Sequence, residues 1–197
     1  MKCFVISLHR CGTRSTASHL EALGFKTRHW PIDHEGTNLE QQIVGRETDL
    51  AHVADVLAPV LESYEAVADV PVPVLYRELV ARYPEAKFLL VYRNAFDWAH
   101  SVRWKLRDAD FAPYVRTVYW TYLDWRPRRI EQISDAQLIW MHGRHTADVI
   151  GFFQQAAPHK LGVFDLYASD TGQKIAGFLG IDSNRSLPHL FPRPRAN

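Results

Sequence analysis

Four short apolar runs punctuate the chain, separated by longer stretches in which apolar residues recur every three or four positions. The runs are CFVISL (3–8), EAVADV (65–70), KFLLVY (87–92) and KLGVF (160–164). Each has the length of a strand and is apolar at consecutive positions, the pattern of a strand covered on both faces. Between them the helical period predicts helices over 14–23, closed by Gly24; 48–63; 74–83, stopped by Pro84; 95–107; 112–125; 134–156; and 171–179, ended by Gly180. Ser134 and Gln137 form a capping box that opens the longest of these. Strands alternating with helices predict an α/β fold, three-layer α/β/α around a central, mostly parallel sheet. With no repeat, low-complexity tract or linker, residues 1–197 read as one domain. From about residue 183 the chain is rich in Pro and Arg and is expected to lie extended over the surface.

Composition narrows the class without naming a function. At 47% hydrophobic and 23% charged, 197 residues can bury a substantial core, which excludes disordered and fibrous chains. A net charge of +1 gives no global field for nucleic acid or membrane, yet 17 of the 23 basic residues are arginine, the side chain suited to bidentate oxyanion contacts. Two cysteines, Cys3 and Cys11, suggest neither a disulfide framework nor a zinc site. No secretory apolar segment opens the chain, and no apolar run approaches the roughly 20 residues that span a bilayer. A soluble protein of the reducing cytoplasm is therefore expected.

The candidate chemistry begins at SLHRCGTRST (7–16), behind the first strand and ahead of the first helix. Such a loop gathers backbone N–H groups and a positive helix end at the carboxyl edge of the sheet, where phosphate binds. Arg10 and Arg14 flank that point, and Thr13, Ser15 and Thr16 add hydroxyls. The ATP-type loop G-x-x-x-x-G-K-[ST] is absent, since Gly12 is followed by Thr13 and Arg14. The plainer alternative is a strand-to-helix turn with Thr13 or Ser15 as N-cap. A second segment, RNAFDWAHS (93–101), puts Arg93 at the end of a buried strand and Ser101 two helical turns further on, so both can face one ligand. The alternative there is an Arg93–Asp97 pair with Ser101 on the helix surface.

Together, RCGTRS (10–15) and RNAFDWAHS resemble the 3'-phosphoadenylyl sulfate (PAPS) dependent sulfotransferases. In that family a loop similar to [KR]-x-G-T-[TR]-[ST] holds the 5'-phosphosulfate and R-x7-S holds the 3'-phosphate. The likeness extends through LEALGFKTRHWP, YEAVADVPV, LYRELVARYPEAKFLLVYRN, Trp98 and IAGFLGI, and is greatest to the small Golgi-like and bacterial members. Arg10 stands where many members carry lysine, and the G-x-x-G-x-K segment of the cytosolic steroid and phenol enzymes is missing. The resemblance implies a nucleotide site built from Arg10, Cys11, Gly12, Thr13, Arg14, Ser15, Thr16, Arg93 and Ser101. It also implies sulfuryl transfer from PAPS to a hydroxyl or amine, with adenosine 3',5'-bisphosphate released and Arg10 stabilising the charge on the leaving oxygen.

A base must accept the proton of the acceptor, and the two candidates at the sheet edge are Asp69, placed first because it closes a strand, and His29, in RHWPIDH. His34, Asp33 and Glu35 are reserves. Asp69 capping the next helix and His29 holding a turn are the structural alternatives. His142 and His145, three apart in MHGRH, lack a third ligand nearby and are expected to be solvated helix histidines, so the reaction is expected to need no metal. The aromatic stretch 111–129 reads as a core-facing helix through Val115, Val118, Tyr119, Tyr122 and Trp125, with an acceptor pocket as the alternative. Arg126, Arg128, Arg129, Arg193 and Arg195 read as solvated charge. Two other functions fit the same layout: a nucleotide kinase, weakened by the missing lysine, and a non-catalytic nucleotide-binding module. The acceptor, whether small molecule, carbohydrate or lipid, and the oligomeric state are not specified by these patterns.

Overall fold

The computed structural model describes residues 1–188 and Leu190. Its centre is a five-stranded sheet in which every pairing is parallel. The strands are β1 (Cys3–Val5), β2 (Thr27–His29), β5 (Ala66–Ala68), β6 (Lys87–Tyr92) and β7 (Leu161–Asp165), in the order β2-β5-β1-β6-β7; β3 (Asp33–His34) and β4 (Thr37–Asn38) form a separate hairpin. The helices are α1 (Thr13–Ala22), α2 (Leu50–Ser63), α3 (Tyr76–Arg82), α4 (Ala95–Leu106), α5 (Pro113–Tyr122), α6 (Asp135–Ala156) and α7 (Thr171–Phe178). Among the described residues no helix is long and apolar enough to cross a membrane.

Side chains alternate across the sheet, and this divides the core in two. Cys3, Val5, Ala66, Ala68, Leu89 and Val91 pack beneath Ala17 and Leu20 of α1 and Ile175 of α7. Phe4, Ile6, Val67, Phe88 and Leu90 face the larger cluster built with α2 to α6. The helices following β1 and β6 therefore lie on opposite faces of the sheet. A crevice opens between adjacent strands whose helices part in this way, and it opens at their carboxyl ends.

Several expected boundaries move. The first strand pairs only over Cys3–Val5, because Ile6 to Gly12 already form the turn into α1. The helix expected over 112–125 ends at Tyr122; Leu123 is extended, and Trp120 Nε1 donates to the Pro127 carbonyl at 2.8 Å across the break. Val118 and Tyr119 do face the core, but Trp125 lies beyond the helix and is exposed. The capping box at Ser134 and Gln137 forms as expected. The expectation of solvated histidines on α6 is corrected: His142 and His145 are buried, on the face shared with Leu138, Met141 and Val149. His145 donates through Nε2 to the Ile6 carbonyl at 2.9 Å and lies 2.7 Å from the Tyr122 hydroxyl through Nδ1.

From 181 to 188 the chain has no helix or strand. It packs against α7 at Gly172, where a Cβ would meet the backbone of residues 185–187, and Leu187 is buried there. Leu190 N–H then reaches Ser15 Oγ at 3.5 Å. Arg193 and Arg195 lie outside the described residues.

Candidate functional site at the carboxyl edge

The loop after β1 is anchored on both sides before it turns. Ser7 Oγ accepts from Val91 N–H at 2.7 Å, and the His9 carbonyl accepts from the Trp98 indole at 2.8 Å. Arg10 and Gly12 then adopt left-handed conformations, with φ of 67° and 76°. This is costly for a residue with a Cβ and is sustained only where the surroundings demand it. At Gly12 the φ alone disfavours a side chain, and a Cβ there would also push the end of the Leu166 side chain aside. Gly12 is the N-cap of α1 and has no side chain to cap it; neither Thr13 nor Ser15 takes that role. An uncapped first turn presents backbone N–H groups and the positive end of the helix dipole to an anion.

The second segment meets this loop directly. Arg10 Nε donates to Ser101 Oγ at 3.0 Å, and Arg93 Nη1 donates to the Arg10 carbonyl at 3.0 Å. Arg93 also lies over the Tyr167 ring at 5.6 Å, and its Nε is a buried donor with no partner among the described residues. Burial pushes the pKa of Arg10 down from the ordinary arginine value; Arg93 and Arg14 push it the same way and Asp69 opposes them. A guanidinium does not lose its proton in a protein. The fall therefore reflects first the burial of Arg10 and only then the neighbouring guanidinium groups of Arg93 and Arg14.

From β5 and β2 come the two remaining candidates. Asp69, itself left-handed at φ 77°, follows β5 and accepts from Val70 N–H at 2.9 Å. Its other oxygen lies 3.1 Å from His29 Nε2 at the end of β2, and His29 Nε2 is in turn 3.3 Å from Thr13 Oγ1. Burial alone would raise the Asp69 pKa, but the His29 hydrogen bond and charge, with help from His9 and the Val70 N–H, outweigh it and hold the carboxyl below the usual aspartate value. Asp69 is thus a buried anion fixed against an imidazole.

The edge brings together Arg10, Gly12, Thr13, His29, Asp69, Arg93 and Ser101, which are scattered over 92 positions of the sequence. Other loop residues turn elsewhere. Thr16 spends its hydroxyl on the Gly12 carbonyl at 3.0 Å, Ser15 receives the tail, and Arg14 is exposed. Cys11 turns both its N–H and its thiol inward. Its N–H donates to the Leu8 carbonyl at 3.1 Å, and its buried thiol, pushed up to about 12 by burial, lies 3.9 Å from His142 Nε2 beneath the loop. His34, Asp33 and Glu35 fall on the β3–β4 hairpin, where Asp33 pairs with Arg28. Among the described residues no three His, Cys, Asp or Glu side chains gather in a metal-binding group.

The sequence matches the sulfotransferase domain family over residues 2–194. The chain belongs to that family. A solved sulfotransferase structure from Alicyclobacillus acidocaldarius superimposes with a TM-score of 0.51 at 17% identity, covering 98% of this chain and 86% of that one, so the two share a fold. Among curated proteins, the "Ava biosynthesis cluster protein M" of Aspergillus versicolor is 30% identical over 109 residues. That match takes in 52% of this sulfotransferase-family chain and 42% of the fungal protein's length. Two residues at the edge escaped the sequence reading. His9 and Tyr119, 110 positions apart, meet through His9 Nε2 and the Tyr119 hydroxyl at 3.2 Å. The only sequence signal for His9 was a polar residue inside an otherwise apolar strand end.

Proposed function

We propose that this chain transfers the sulfuryl group of PAPS to a hydroxyl or amine of an acceptor and releases adenosine 3',5'-bisphosphate. The observation that carries the reading is the meeting of the two arginine segments, Arg10 with Ser101 and Arg93 with the Arg10 carbonyl, each at 3.0 Å. Cations from two segments so close together suit one ligand with anionic groups at both the 3' and 5' positions. The residues fit such a ligand: Arg93 Nε is a buried donor without a partner among the described residues, and α1 opens without a side-chain cap.

Arg93 and Ser101 are assigned to the 3'-phosphate. Gly12 and Thr13, with the backbone N–H groups of Arg14 and Ser15 in the first turn of α1, are assigned to the 5'-phosphosulfate. When bound, PAPS supplies the sulfuryl group and a bisphosphate leaving group. Arg10 holds positive charge where negative charge grows on the leaving oxygen, without reorganisation during the step. For the proton, the geometry favours His29 as base with Asp69 as its positioning partner. An Asp69 carboxylate held below its usual pKa is a weak base, but it fixes the imidazole by accepting from Nε2–H, which leaves the lone pair on Nδ1 to receive the proton. The roles are metal-independent, and the two buried, unpaired cysteines suit a reducing, cytoplasmic compartment. The acceptor is proposed to be a small molecule, carbohydrate or lipid, and the fungal relative's name, which places that protein in a biosynthesis cluster, suits a biosynthetic role.

The test compares ligands by thermal shift and then follows label. Adenosine 3',5'-bisphosphate at about 100 times its dissociation constant should stabilise the fold by about 2.7 kcal/mol, and ATP with Mg²⁺ by much less. Radiolabelled PAPS with a metabolite extract should yield a labelled product, also in EDTA. Equal shifts from both nucleotides would remove the 3'-phosphate assignment, and binding without transfer would leave a non-catalytic nucleotide-binding module.

A further inference from the structure

We propose that His9 is a further ligand-binding residue, donating from Nδ1 as a neutral imidazole to an anionic oxygen of the group held by the loop 10–16. The inference rests on the nucleotide reading above for the identity of that group, but its first half concerns the free protein alone.

His9 is 7% exposed and Tyr119 is fully buried. The Tyr119 hydroxyl meets His9 Nε2 at 3.2 Å, while His9 Nδ1 is buried without a partner among the described residues. Two neutral arrangements are open to the pair. If Nε2–H donates to the phenol oxygen, the phenol proton and the Nδ1 lone pair are both left buried and unmatched. If the phenol donates to Nε2, only the Nδ1–H is left. Each unmatched buried polar atom is costly, so the second arrangement is preferred. Burial also disfavours the doubly protonated ring, with a pKa lowered to about 4. His9 therefore carries an N–H that nothing among the described residues accepts.

The location of that donor points to the loop's ligand. His9 immediately precedes Arg10, its carbonyl is pinned by Trp98, and the charges it feels are those of Asp69 and Arg10, both at the carboxyl edge. A neutral donor suits a place already crowded with guanidinium groups. It adds a hydrogen bond to a phosphate or sulfuryl oxygen without adding to the repulsion among Arg10, Arg14 and Arg93. Tyr119 acts through His9 as a positioning residue, holding the tautomer.

The test uses the full chain with ¹⁵N-labelled histidine. In the free protein the His9 signal, assigned by its loss in His9→Gln, should show Nδ1 protonated and Nε2 bare. Protonated Nε2 would overturn the proposal whatever the protein binds. With wild-type binding established by thermal shift, adenosine 3',5'-bisphosphate or PAPS should move the Nδ1 resonance. Movement with both assigns a phosphate oxygen, and movement with PAPS alone assigns a sulfuryl oxygen. A resonance that ignores both bound nucleotides overturns the proposal and leaves the nucleotide reading standing; a wild type that binds neither removes that reading instead. His9→Phe should weaken the ligand that moves the resonance about 10- to 100-fold, the range for a hydrogen bond to a charged group. Tyr119→Phe should let Nε2 become protonated in part of the population, which loss of packing alone would not do.

Discussion

Lowering the pH from about 7.5 to about 5 should cost this fold much of its stability, because three buried histidines resist protonation. His9, His142 and His145 have pKa values lowered from 6.5 to about 4, in each case first by burial; Arg10 adds to the fall at His9, Arg93 at His142, and His142 at His145. An unfolded chain takes up these protons near 6.5, whereas the folded chain waits until about 4. The folded state thus binds fewer protons across that window, and stability falls as pH falls from 6.5 to about 4, then levels off. One such histidine costs about 2 kcal/mol at pH 5, and three acting independently cost about 6 kcal/mol. That is comparable to the whole stability of a domain, typically about 5–15 kcal/mol. Urea unfolding followed by circular dichroism at half-unit pH steps measures the slope directly. His145→Gln, which keeps a donor for the Ile6 carbonyl, should remove one proton from the linkage and reduce the slope by up to about 1.4 kcal/mol per pH unit. A wild-type stability flat between pH 7 and pH 5, or a variant with an unchanged slope, would refute the reasoning.

Arg93→Ala should weaken adenosine 3',5'-bisphosphate by about 1.5–3 kcal/mol and leave adenosine 5'-monophosphate nearly unaffected in calorimetric titration; parallel losses would sink the 3'-phosphate assignment. Arg10→Ala should lower kcat more than nucleotide affinity, and a normal kcat with raised KM would reduce Arg10 to ground-state binding. His29→Gln should lower kcat about 10²- to 10⁴-fold and abolish the acidic limb of the pH–rate profile, with bisphosphate binding intact. Asp69→Asn should lower kcat but retain that limb, since the imidazole remains; loss of the limb in Asp69→Asn alone would make Asp69 the base. Gly12→Ala should weaken nucleotide binding by placing a Cβ at a φ of 76° and displacing the end of Leu166, and wild-type affinity in that variant would contradict the loop geometry.

How much of this was readable in advance depended on the range of the forces involved. The strand KFLLVY and the helix opened by Ser134 and Gln137 are written locally, in a continuous apolar run and a capping box, and both formed where expected. That the chain turns from the first strand into the first helix at Gly12 was legible, because a glycine between an apolar run and a helical period marks such a join. β2 was not legible: Thr27–His29 is a three-residue edge strand of polar, half-buried side chains, held by its pairing with Ala66–Ala68 rather than by any pattern of its own. His142 and His145 were misjudged by residue type. Their spacing with Leu138, Met141 and Val149 is that of a buried helix face, and that periodicity outweighs the polarity of imidazole once Tyr122 and the Ile6 carbonyl provide partners. The Asp69–His29 pair and the His9–Tyr119 pair each join elements distant in the chain, so neither could be foreseen from local spacing.

On the proposed reading, the carboxyl edge also has a cost to the fold. Arg10 sits in a left-handed conformation, its pKa lowered first by burial and then by Arg93 and Arg14, with Asp69 opposing them. None of this favours the folded state by itself; strain, burial of charge and repulsion between cations all count against it. What keeps the arrangement in place is apolar packing beneath it, since Cys11, Leu8 and Trp98 are buried under the loop and Trp98 fixes the His9 carbonyl from below. A polyanion arriving at this edge relieves the repulsion without having to organise the loop first, so the interaction energy is available to a negatively charged ligand and not to a neutral one. A lone phosphate would relieve that repulsion at one place only. Arg10 and Arg93 are tied to each other through the Arg10 carbonyl, and only a ligand with anions at both ends of one molecule satisfies both guanidinium groups without pulling that tie apart.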